Sequence, residues 1–335
     1  MSPTIRDVAQ KAGVSVATVS RVVNDRPGYS AETRNKVLRV IEELGYQPNA
    51  LARGLVSKRS RTVGVLIPNI SSMVASEMLK GIEDAAHTIG QSVIVCNTDN
   101  NGERTLEYLQ VLKEKQVDGI IVVSAPITPL YHQKFGEMQV PVVLVSTRYH
   151  DGNLPFVKVD DEKAAYHATA YLIKKGHEEI GMIAGSKDDR IAGIPRVEGY
   201  RKALSDHGIP IRDQYITYGN FGFQSGMAGL ERLLEAAPEI TAIFCASDEM
   251  AAGALSLAHR RGIEIPDRLS LIGYDDSQLA EMTIPPLTTL RQPLCQMGQE
   301  GLTMLMAMIE EGKRTIHSKI LPYTIVERET VRELR

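Results

Sequence analysis

The stretch from residue 4 to residue 24 constrains this chain most, because its pattern predicts two short helices joined by a sharp turn. Gly13 lies at the turn between them. Ser15 is placed to cap the second helix by accepting a hydrogen bond from its first N–H groups. The first helix has one apolar face at the i, i+3, i+4, i+7 spacing, formed by Ile5, Val8, Ala9 and Ala12.

The second helix is predicted to turn three valines toward the first, namely Val19, Val22 and Val23. Its outer face then consists of Val16, Ala17, Ser20 and Arg21. Arg21 alone carries charge there, and its forked donors match O6 and N7 of guanine in a major groove. Such a pair of helices can also be a plain packing element with a solvated arginine. The glycine turn, the serine cap and the small outer face together favour a DNA-reading device.

The stretch resembles the headpiece of the LacI/GalR family of bacterial repressors. The family pattern D-V-A-x-x-A-G-V-S-x-x-T-V-S-R-x-x-N is met at Asp7, Val8, Ala9, Ala12, Gly13, Val14, Ser15, Thr18, Val19, Ser20, Arg21 and Asn24. The resemblance implies a helix-turn-helix headpiece whose DNA contacts come from Thr4, Ser15, Val16, Ala17, Thr18, Ser20 and Arg21. It also implies positions near backbone phosphates, which orient the reader without carrying sequence information, for Asn24, Ser30, Thr33 and Tyr46.

The charge distribution agrees with a nucleic-acid module at the N-terminus. The whole chain of 335 residues carries a net charge of −3, but residues 1–61 hold 11 Lys or Arg against 5 Asp or Glu. The remaining 274 residues hold 27 against 36. A head of +6 therefore precedes a body of −9, and phosphate contacts by the head would supply much of the affinity for DNA.

A third helix is predicted after the reader, beginning at Ser30 as N-cap and ending at Gly45. Its inner face is predicted to carry Val37, Leu38, Ile41 and Leu44, which would close the headpiece core. The segment from Pro48 to Leu55 follows, and as an isolated helix it falls short of the roughly 12 residues that are marginal in water.

This segment resembles the family's hinge helix, which forms when two subunits lie side by side in the minor groove. Leu55 occupies the wedge position of that helix, and the same groove would be lined by Asn49, Ala52 and Arg53. The alternative is an ordinary linker with one exposed leucine. The predicted boundaries are 1–47 for the headpiece, 48–60 for hinge and linker, and 61–335 for an effector-binding and dimerisation domain.

From residue 61 onward, short β-branched runs alternate with amphipathic helical stretches, which predicts parallel sheets covered on both faces. The pattern restarts after Asp160, so two similar lobes are expected. The fold class is therefore α/β, with a small all-α headpiece and a two-lobed body resembling periplasmic sugar-binding proteins. The tail is predicted to cross between the lobes, giving a first lobe of about 61–160 plus 292–320 and a second of about 161–290 plus 321–335.

Ligands of open parallel sheets bind outside the carboxyl ends of the strands, so an effector is expected between the lobes. A polyol would need acidic acceptors, bidentate donors and an aromatic face. Strand ends and the family register give as candidates Met73, Thr147, Asp160, Arg190, Arg196, Phe221, Ser247, Asp248 and Asp275.

Several of these candidates have plain structural alternatives. Arg196 could be the exposed start of a helix, and Asp275 could be a turn-forming residue in Tyr-Asp-Asp-Ser. Arg190 could lie in a solvated loop, and Phe221 could be buried between lobes.

Two departures from family patterns narrow the effector. Purine-binding relatives carry aromatics where Met73 and Val74 stand, and many relatives carry an aromatic or an acid in place of Thr147, so a nucleobase is disfavoured. Thr303 and Ala307 stand where carbon-catabolite control relatives carry basic residues to dock a carrier protein, so that corepressor is disfavoured. The methionines at 297, 304 and 308 are expected to pack a core or a dimer face.

Other classes of protein find little support. Nucleotide-binding, zinc-protease and serine-hydrolase motifs do not occur, and the adjacent acid pairs do not form the flanking carboxylates of a glycosidase. Three scattered cysteines suggest neither a disulfide frame nor a metal site. No signal peptide or membrane helix is recognised, so a cytoplasmic location is expected. No catalytic residue, cofactor or metal is predicted.

The sequence therefore predicts a homodimeric repressor of a carbohydrate-utilisation operon, controlled by a sugar or sugar derivative. Its partners would be double-stranded operator DNA, contacted in the major groove and the central minor groove, and the small-molecule effector. The alternatives are a carbohydrate-active enzyme working in the same cleft, or a small-molecule binding protein without a DNA role.

Overall fold

The computed structural model describes residues 3–23, 25–46, 59–99, 103–312 and 317–334. It separates into two compact units, Met1–Arg61 and Thr62–Arg335. The first unit is a helical headpiece and the second is an α/β body, as predicted.

The described part of the headpiece contains three helices packed around one apolar core. They are α1 (Ile5–Ala12), α2 (Val16–Val23) and α3 (Ala31–Leu44). The core side chains follow the helical period and are Val8, Ala9, Ala12, Val19, Val22, Val37 and Val40.

The inner face of α3 differs from the prediction by one residue. Leu38 was expected inside but is 39% exposed, whereas Val40 is 7% exposed. Val40 lies three residues after Val37 and shares its face, while Leu38 is turned about 100° away at 3.6 residues per turn. The prediction for Leu38 is wrong because the inner face of α3 is set by Val37, Val40 and the partly buried Ile41 and Leu44, and Leu38 is turned away from it.

The first lobe of the body is built on a parallel sheet. Its strands are β1 (Thr62–Ile67), β2 (Ser92–Asn97), β3 (Gly119–Val123), β4 (Val142–Val145), β5 (Phe156–Lys158) and, from the C-terminal part of the chain, β11 (Lys319–Ile320). The order across the sheet is β11-β5-β4-β3-β1-β2, with every described pair parallel. Its helices are α4 (Met73–Thr88), α5 (Glu103–Glu114), α6 (Pro129–Met138) and α12 (Leu294–Glu311).

The second lobe repeats this plan. Its strands are β6 (Ile180–Ala184), β7 (Ile216–Tyr218), β8 (Ala242–Cys245), β9 (Ser270–Asp275), β10 (Thr289–Arg291) and β12 (Thr324–Val326). They are ordered β12-β10-β9-β8-β6-β7, and only the pair of β12 and β10 is antiparallel among those described. The helices are α7 (Asp161–Lys174), α8 (Gly193–Asp206), α9 (Phe223–Ala236), α10 (Asp248–Arg260) and α11 (Gln278–Met282).

The two faces of the first sheet belong to separate cores, because successive side chains of a strand point to opposite sides. Ile121 and Val123 of β3 face a core that includes α4 and α12, while Ile120 and Val122 face a core that includes α5 and α6. Met297 and Met304 are buried in the first of these cores and Met308 packs against it. The core alternative for the methionines is therefore confirmed.

Pairs of helices approach closely where a glycine faces a backbone carbonyl. A methyl group at Gly298 of α12 would lie 2.1 Å from the carbonyl oxygen of Met78 on α4. At Gly253 of α10 it would lie 2.0 Å from the carbonyl oxygen of Phe223 on α9. These contacts are possible only without a side chain, and they join the helices of each pair tightly.

The chain crosses between the lobes three times. It does so between β5 and α7, between β10 and α12, and between β11 and β12. The end of the chain forms two short strands, β11 and β12, which belong to different sheets. Strand β5 and helix α11 were not predicted.

Candidate nucleic-acid interface and effector site

The turn between α1 and α2 is fixed by the residues that the sequence singled out. Gly13 has a φ of 61°, in the left-handed region. Ser15 Oγ accepts a 3.0 Å hydrogen bond from the backbone N–H of Thr18, so the predicted cap of the second helix is confirmed. Thr4 caps α1, where its backbone N–H donates to Asp7 Oδ2 at 2.7 Å.

The outer face of α2 is small and open. Val16 is 42% exposed, and Ala17 and Arg21 are also exposed, while Thr18 and Ser20 are half-buried. The Arg21 side chain lies against Gly28, where a methyl group would come within 3.1 Å of Arg21 Nη1. Sequence reasoning missed Gly28, whose φ of 113° makes it recognisable only once the loop backbone is known.

The remaining headpiece candidates also have structural roles, but they are still at least partly exposed. Ser30 caps α3 by accepting a 3.2 Å bond from Thr33 N–H, and Tyr46 packs half-buried against the headpiece core. Five of the predicted DNA-binding residues lie outside the described residues, namely Asn24, Asn49, Ala52, Arg53 and Leu55.

In the body, a group of side chains meets at the carboxyl ends of the strands of the second lobe. We call Asp161, Arg196, Phe221, Tyr274 and Asp275 the strand-end cluster. Asp161 begins α7, Arg196 lies in the first turn of α8, Phe221 follows β7, and Tyr274 and Asp275 end β9. Chain segments more than 100 residues apart are thus brought together at one edge of the sheet.

Arg196 is the centre of the strand-end cluster. It is 5% exposed and donates to Asp161 Oδ1 from Nε at 3.0 Å and from Nη2 at 2.9 Å. Its Nη1 donates to a backbone carbonyl oxygen after β8 at 2.5 Å. Its guanidinium carbon lies 3.6 Å from the ring centre of Tyr274 and 5.7 Å from that of Phe221. The alternative of an exposed helix start is therefore wrong for Arg196.

Asp161 compensates the buried positive charge. Besides Arg196, it accepts a hydrogen bond from Tyr274 Oη at 3.1 Å and pairs with Lys158 Nζ at 3.0 Å. Burial by itself would raise the pKa of Asp161, but Arg196 and Lys158 hold it below the usual value. Asp161 is therefore a charged, fully engaged carboxylate.

Asp275 offers a different kind of carboxyl group. It is 4% exposed, its Oδ1 accepts a 2.7 Å hydrogen bond from Gln292 Nε2, and its φ of 123° is unusual for a residue with a side chain. Burial raises the pKa of Asp275 well above its ordinary value, against the opposing effect of Arg196. The side chain is held in place, and Oδ2 has no hydrogen-bond donor among the described residues.

Asp248 and Ser247 support this arrangement at the start of α10. Ser247 Oγ caps the helix and donates to the carbonyl oxygen of Phe221 at 2.8 Å, which fixes the loop that carries the ring. Asp248 is 1% exposed and accepts from Ser277 N–H at 2.7 Å and from Thr289 Oγ1 at 2.5 Å. Burial raises the pKa of Asp248 to about 7.

Phe221 depends on a glycine in the neighbouring strand-end loop. A methyl group at Gly185 would lie 2.0 Å from Phe221 Cζ, so the ring occupies the space that a side chain would take. Phe221 is half-buried and has a φ of 67°.

The other predicted effector residues are not members of the strand-end cluster, and two of them have engaged side chains. Asp160 caps α7 and pairs with Lys163 Nζ at 3.2 Å. Thr147 is fully buried and its hydroxyl donates to the carbonyl oxygen of Ala125 at 2.8 Å. Met73 is 38% exposed at the start of α4, and Arg190 is exposed after β6.

Sequence reasoning missed four members of the network, which are Lys158, Asp161, Tyr274 and Gln292. Asp161 directly follows the chosen Asp160, and Tyr274 directly precedes the chosen Asp275. The start of α7 could have indicated Asp161. If Asp160 is the N-cap, the next acid is the first residue of the helix and can face the core.

The described residues contain no group of three or more His, Cys, Asp or Glu side chains placed to hold a metal ion. Within the same part of the chain, no helix combines the length and the apolar character that crossing a membrane requires.

A basic three-helix headpiece with a small exposed reader face, followed by a two-sheet body with buried charges at its strand ends, defines an effector-responsive DNA-binding regulator. Residues 4–49 match the family of bacterial regulatory proteins called the lacI family, and residues 169–331 match the periplasmic binding protein-like domain. The chain is 41% identical over 334 residues to catabolite control protein A of Priestia megaterium, covering 99% of this chain and 100% of the relative. The chain belongs to the lacI family and is a DNA-binding transcriptional regulator.

Solved structures agree with this assignment. A lac repressor dimer bound to operator and the anti-inducer ONPF aligns with a TM-score of 0.89 at 28% identity, covering 99% of this chain and 100% of that one. The transcriptional regulator CelR in complex with cellobiose aligns with a TM-score of 0.76 at 32% identity, covering 98% and 99%.

Proposed function

We propose that the protein is a homodimeric repressor of a carbohydrate-utilisation operon, whose operator binding responds to a sugar or sugar derivative held at the strand-end cluster. The observation that carries the proposal is that a buried Arg196, held by Asp161, lies close enough to Asp275 to affect its pKa, while Asp275 is positioned by Gln292 and only partly engaged. CelR, a similar protein, has been solved in complex with cellobiose.

The strand-end cluster has the donors and acceptors that a polyol needs. A sugar hydroxyl would donate to Asp275 Oδ2 and accept from an Arg196 N–H that Asp161 leaves unused. The hydrogen bond from the charged Arg196 would contribute about 1.5 to 3 kcal/mol. Phe221 supplies an aromatic face for the C–H side of the ring, and it is already anchored through its backbone carbonyl.

The hydrogen bonds of the buried carboxylates favour an effector-binding role over a catalytic one. Asp161 is saturated by Arg196, Lys158 and Tyr274, so it is not available as a base or a nucleophile. Asp248 is likewise occupied by the donors of Ser277 and Thr289. A glycosidase would need two available carboxyl groups flanking the bond that is cleaved.

We propose DNA contacts for the headpiece and for the hinge that follows it. The headpiece, residues 1–47, would read a half-site with Val16, Ala17 and Arg21, and two subunits would read a near-palindromic operator. The hinge within 48–60 would insert Leu55 at the centre, and the body would begin at residue 61. Occupancy of the body and of DNA would then be coupled reciprocally.

The test is a titration of operator DNA with the full-length protein, followed by fluorescence anisotropy, with and without each of a panel of sugars and sugar phosphates. We expect at least one compound to change operator affinity about 5- to 150-fold, the usual range of allosteric coupling. Asp275→Asn should abolish that change while leaving operator affinity without the compound intact. The matched control Asp276→Asn alters the neighbouring carboxylate, which pairs with Arg291 and Arg328 instead. No response to any carbohydrate would refute the proposal.

A further inference from the structure

Three basic side chains from the two lobes lie near Lys158, which pairs with Asp161 of the strand-end cluster. Arg148 and His150 lie in the loop between β4 and β5 of the first lobe, and Arg190 lies in the loop after β6 of the second lobe. All three are exposed. Like the residues of the strand-end cluster, they follow the carboxyl ends of parallel strands. Arg148 and His150 do so in the first sheet, and Arg190 does so in the second.

The loop of the first lobe is organised so that its two basic residues face outward. Thr147 is fully buried and donates a 2.8 Å hydrogen bond to a backbone carbonyl. Tyr149 is 7% exposed and stacks on His132, with ring centres 4.9 Å apart. Arg148 and His150 alternate with these two buried residues and are exposed. Both therefore lie on the outer side of a loop that is anchored by Thr147 and Tyr149.

Lys158 connects these basic residues to the strand-end cluster. Its Nζ lies 3.0 Å from Asp161 Oδ2 and donates to the carbonyl oxygen of Ile191 at 3.2 Å, which joins the first lobe to the loop that carries Arg190. The Arg148 guanidinium lies 5.5 Å from the ring centre of Phe156. Phe156 and Lys158 are two residues apart on β5 and therefore on the same face of the strand.

The electrostatic balance at this place is positive. Burial, followed by Arg148, Arg190 and Lys158, lowers the pKa of His150, and only Asp151 opposes them. Among the described residues, neither Arg148 nor Arg190 has a carboxylate partner. The nearby Asp189 is engaged by the N–H groups that open α8, accepting from Ile191 at 2.8 Å and from Gly193 at 3.0 Å.

The contact of Asp189 with the start of α8 determines which groups are left to bind an anion. The N-terminus of α8 would ordinarily attract a negative group, but the Asp189 carboxylate already occupies its free N–H groups. An anion must therefore be bound by side chains, and two arginines offer the forked geometry that fits phosphate or carboxylate oxygens.

We propose that the effector carries an anionic group, a phosphate monoester or a carboxylate, which Arg148, His150 and Arg190 bind while its hydroxyl groups reach Arg196 and Asp275. This inference rests on the proposed carbohydrate effector and names its class as an acidic sugar derivative. Because Arg148 and Arg190 come from different lobes, the anion would be bound by both lobes at once.

The experiment is isothermal titration calorimetry on the full-length protein at constant ionic strength. The ligands are matched sets with and without charge: glucose, glucose 6-phosphate and glucuronate; fructose and fructose 6-phosphate; ribose and ribose 5-phosphate. In the set that binds, we expect the charged member to bind about tenfold or more tightly than the neutral one, as one or more charge-assisted hydrogen bonds would give. Comparing glucose 6-phosphate with glucuronate separates phosphate from carboxylate.

Arg148→Gln and Arg190→Gln should each reduce the preference for the charged member, and together should remove it, while affinity for the neutral sugar stays the same. Lys187→Gln is the matched control, since Lys187 is in the same loop as Arg190 but its ammonium lies 5.8 Å from the ring centre of Tyr218. Equal affinity for charged and neutral members, or a preference that survives the double substitution, would overturn the inference and leave the proposed function intact. Failure of every sugar in every form would overturn both.

Discussion

Two adjacent aspartates at the start of α7 offer a sharp test of the buried charge network. Asp161 binds Arg196 through two N–H groups, pairs with Lys158 and accepts from Tyr274, and its side chain is 6% exposed. Asp160 precedes it, has a side chain 32% exposed, and acts as the helix cap. Asp161→Asn and Asp160→Asn remove the same charge one residue apart.

The expected losses of unfolding free energy differ several-fold. Asp161→Asn leaves Arg196 and Lys158, whose side chains are 6% and 12% exposed, without their counter-ion, and removing one partner of a buried pair costs about 3 to 5 kcal/mol. Asparagine caps a helix about as well as aspartate, so Asp160→Asn loses only an exposed pair with Lys163, worth about 0 to 1 kcal/mol.

Urea unfolding followed by far-ultraviolet circular dichroism, at fixed protein concentration, measures both variants against the wild type. Because Arg196 and Lys158 outweigh the burial of Asp161 and lower its pKa below 3.8, its stabilisation is present above that pH and is lost as the pH falls through the lower value in the folded protein. The gap between the wild type and Asp161→Asn should therefore narrow below about pH 4. If the two variants differ by less than about 0.5 kcal/mol at pH 7, Asp161 does not neutralise the buried cations as described.

Three further predictions follow from single contacts. Arg21→Ala should flatten discrimination among operator variants by about 1 to 3 kcal/mol in anisotropy titrations, whereas Arg39→Ala, on α3, should leave it unchanged; unchanged discrimination in both would remove Arg21 from the reading set. Gly253→Ala should lower stability by about 1 to 3 kcal/mol, since its methyl group would meet a carbonyl oxygen at 2.0 Å. Gly136→Ala, with nothing within 4 Å, should raise stability by about 0.5 to 1 kcal/mol; equal melting temperatures of these two variants would contradict the close helix crossing. Burial raises the pKa of Asp248 from 3.8 to about 7, so the stability that its protonated form contributes is full below about pH 4 and is lost as the pH rises to about 7. Asp248→Asn should flatten the decline of melting temperature between about pH 4 and 7, and an unaltered slope would assign that decline to other groups.

The strands that sequence reasoning located best are those buried on both faces. Thr62–Ile67, Gly119–Val123, Ile180–Ala184 and Ala242–Cys245 are short runs of almost entirely apolar residues, and each forms a strand. Such runs can be recognised without knowledge of their neighbours, because nearly every position is apolar wherever the strand lies in the sheet.

The features that were missed depend on distant parts of the chain. Phe156–Lys158 has three residues, one of them charged, and becomes a strand because β4 and β11 flank it. The role of Asp161 depends on Arg196, which follows 35 residues later and folds back over the same sheet edge. Arg196, Phe221 and Asp275 were nominated from strand ends, but no periodicity shows that Tyr274 lies beneath the guanidinium.

The three crossings between the lobes have a mechanical consequence. Two of them contain residues of the strand-end network, because Lys158 and Asp161 flank the first and Gln292, which holds Asp275, lies in the second. Three connections restrict the lobes to rotation about a common axis, and residues at the pivots have the shortest lever arm. A displacement of a fraction of an ångström beside these pivots grows in proportion to distance along each lobe. A small ligand bound beside the connections would therefore move distant atoms of the lobes that it does not contact.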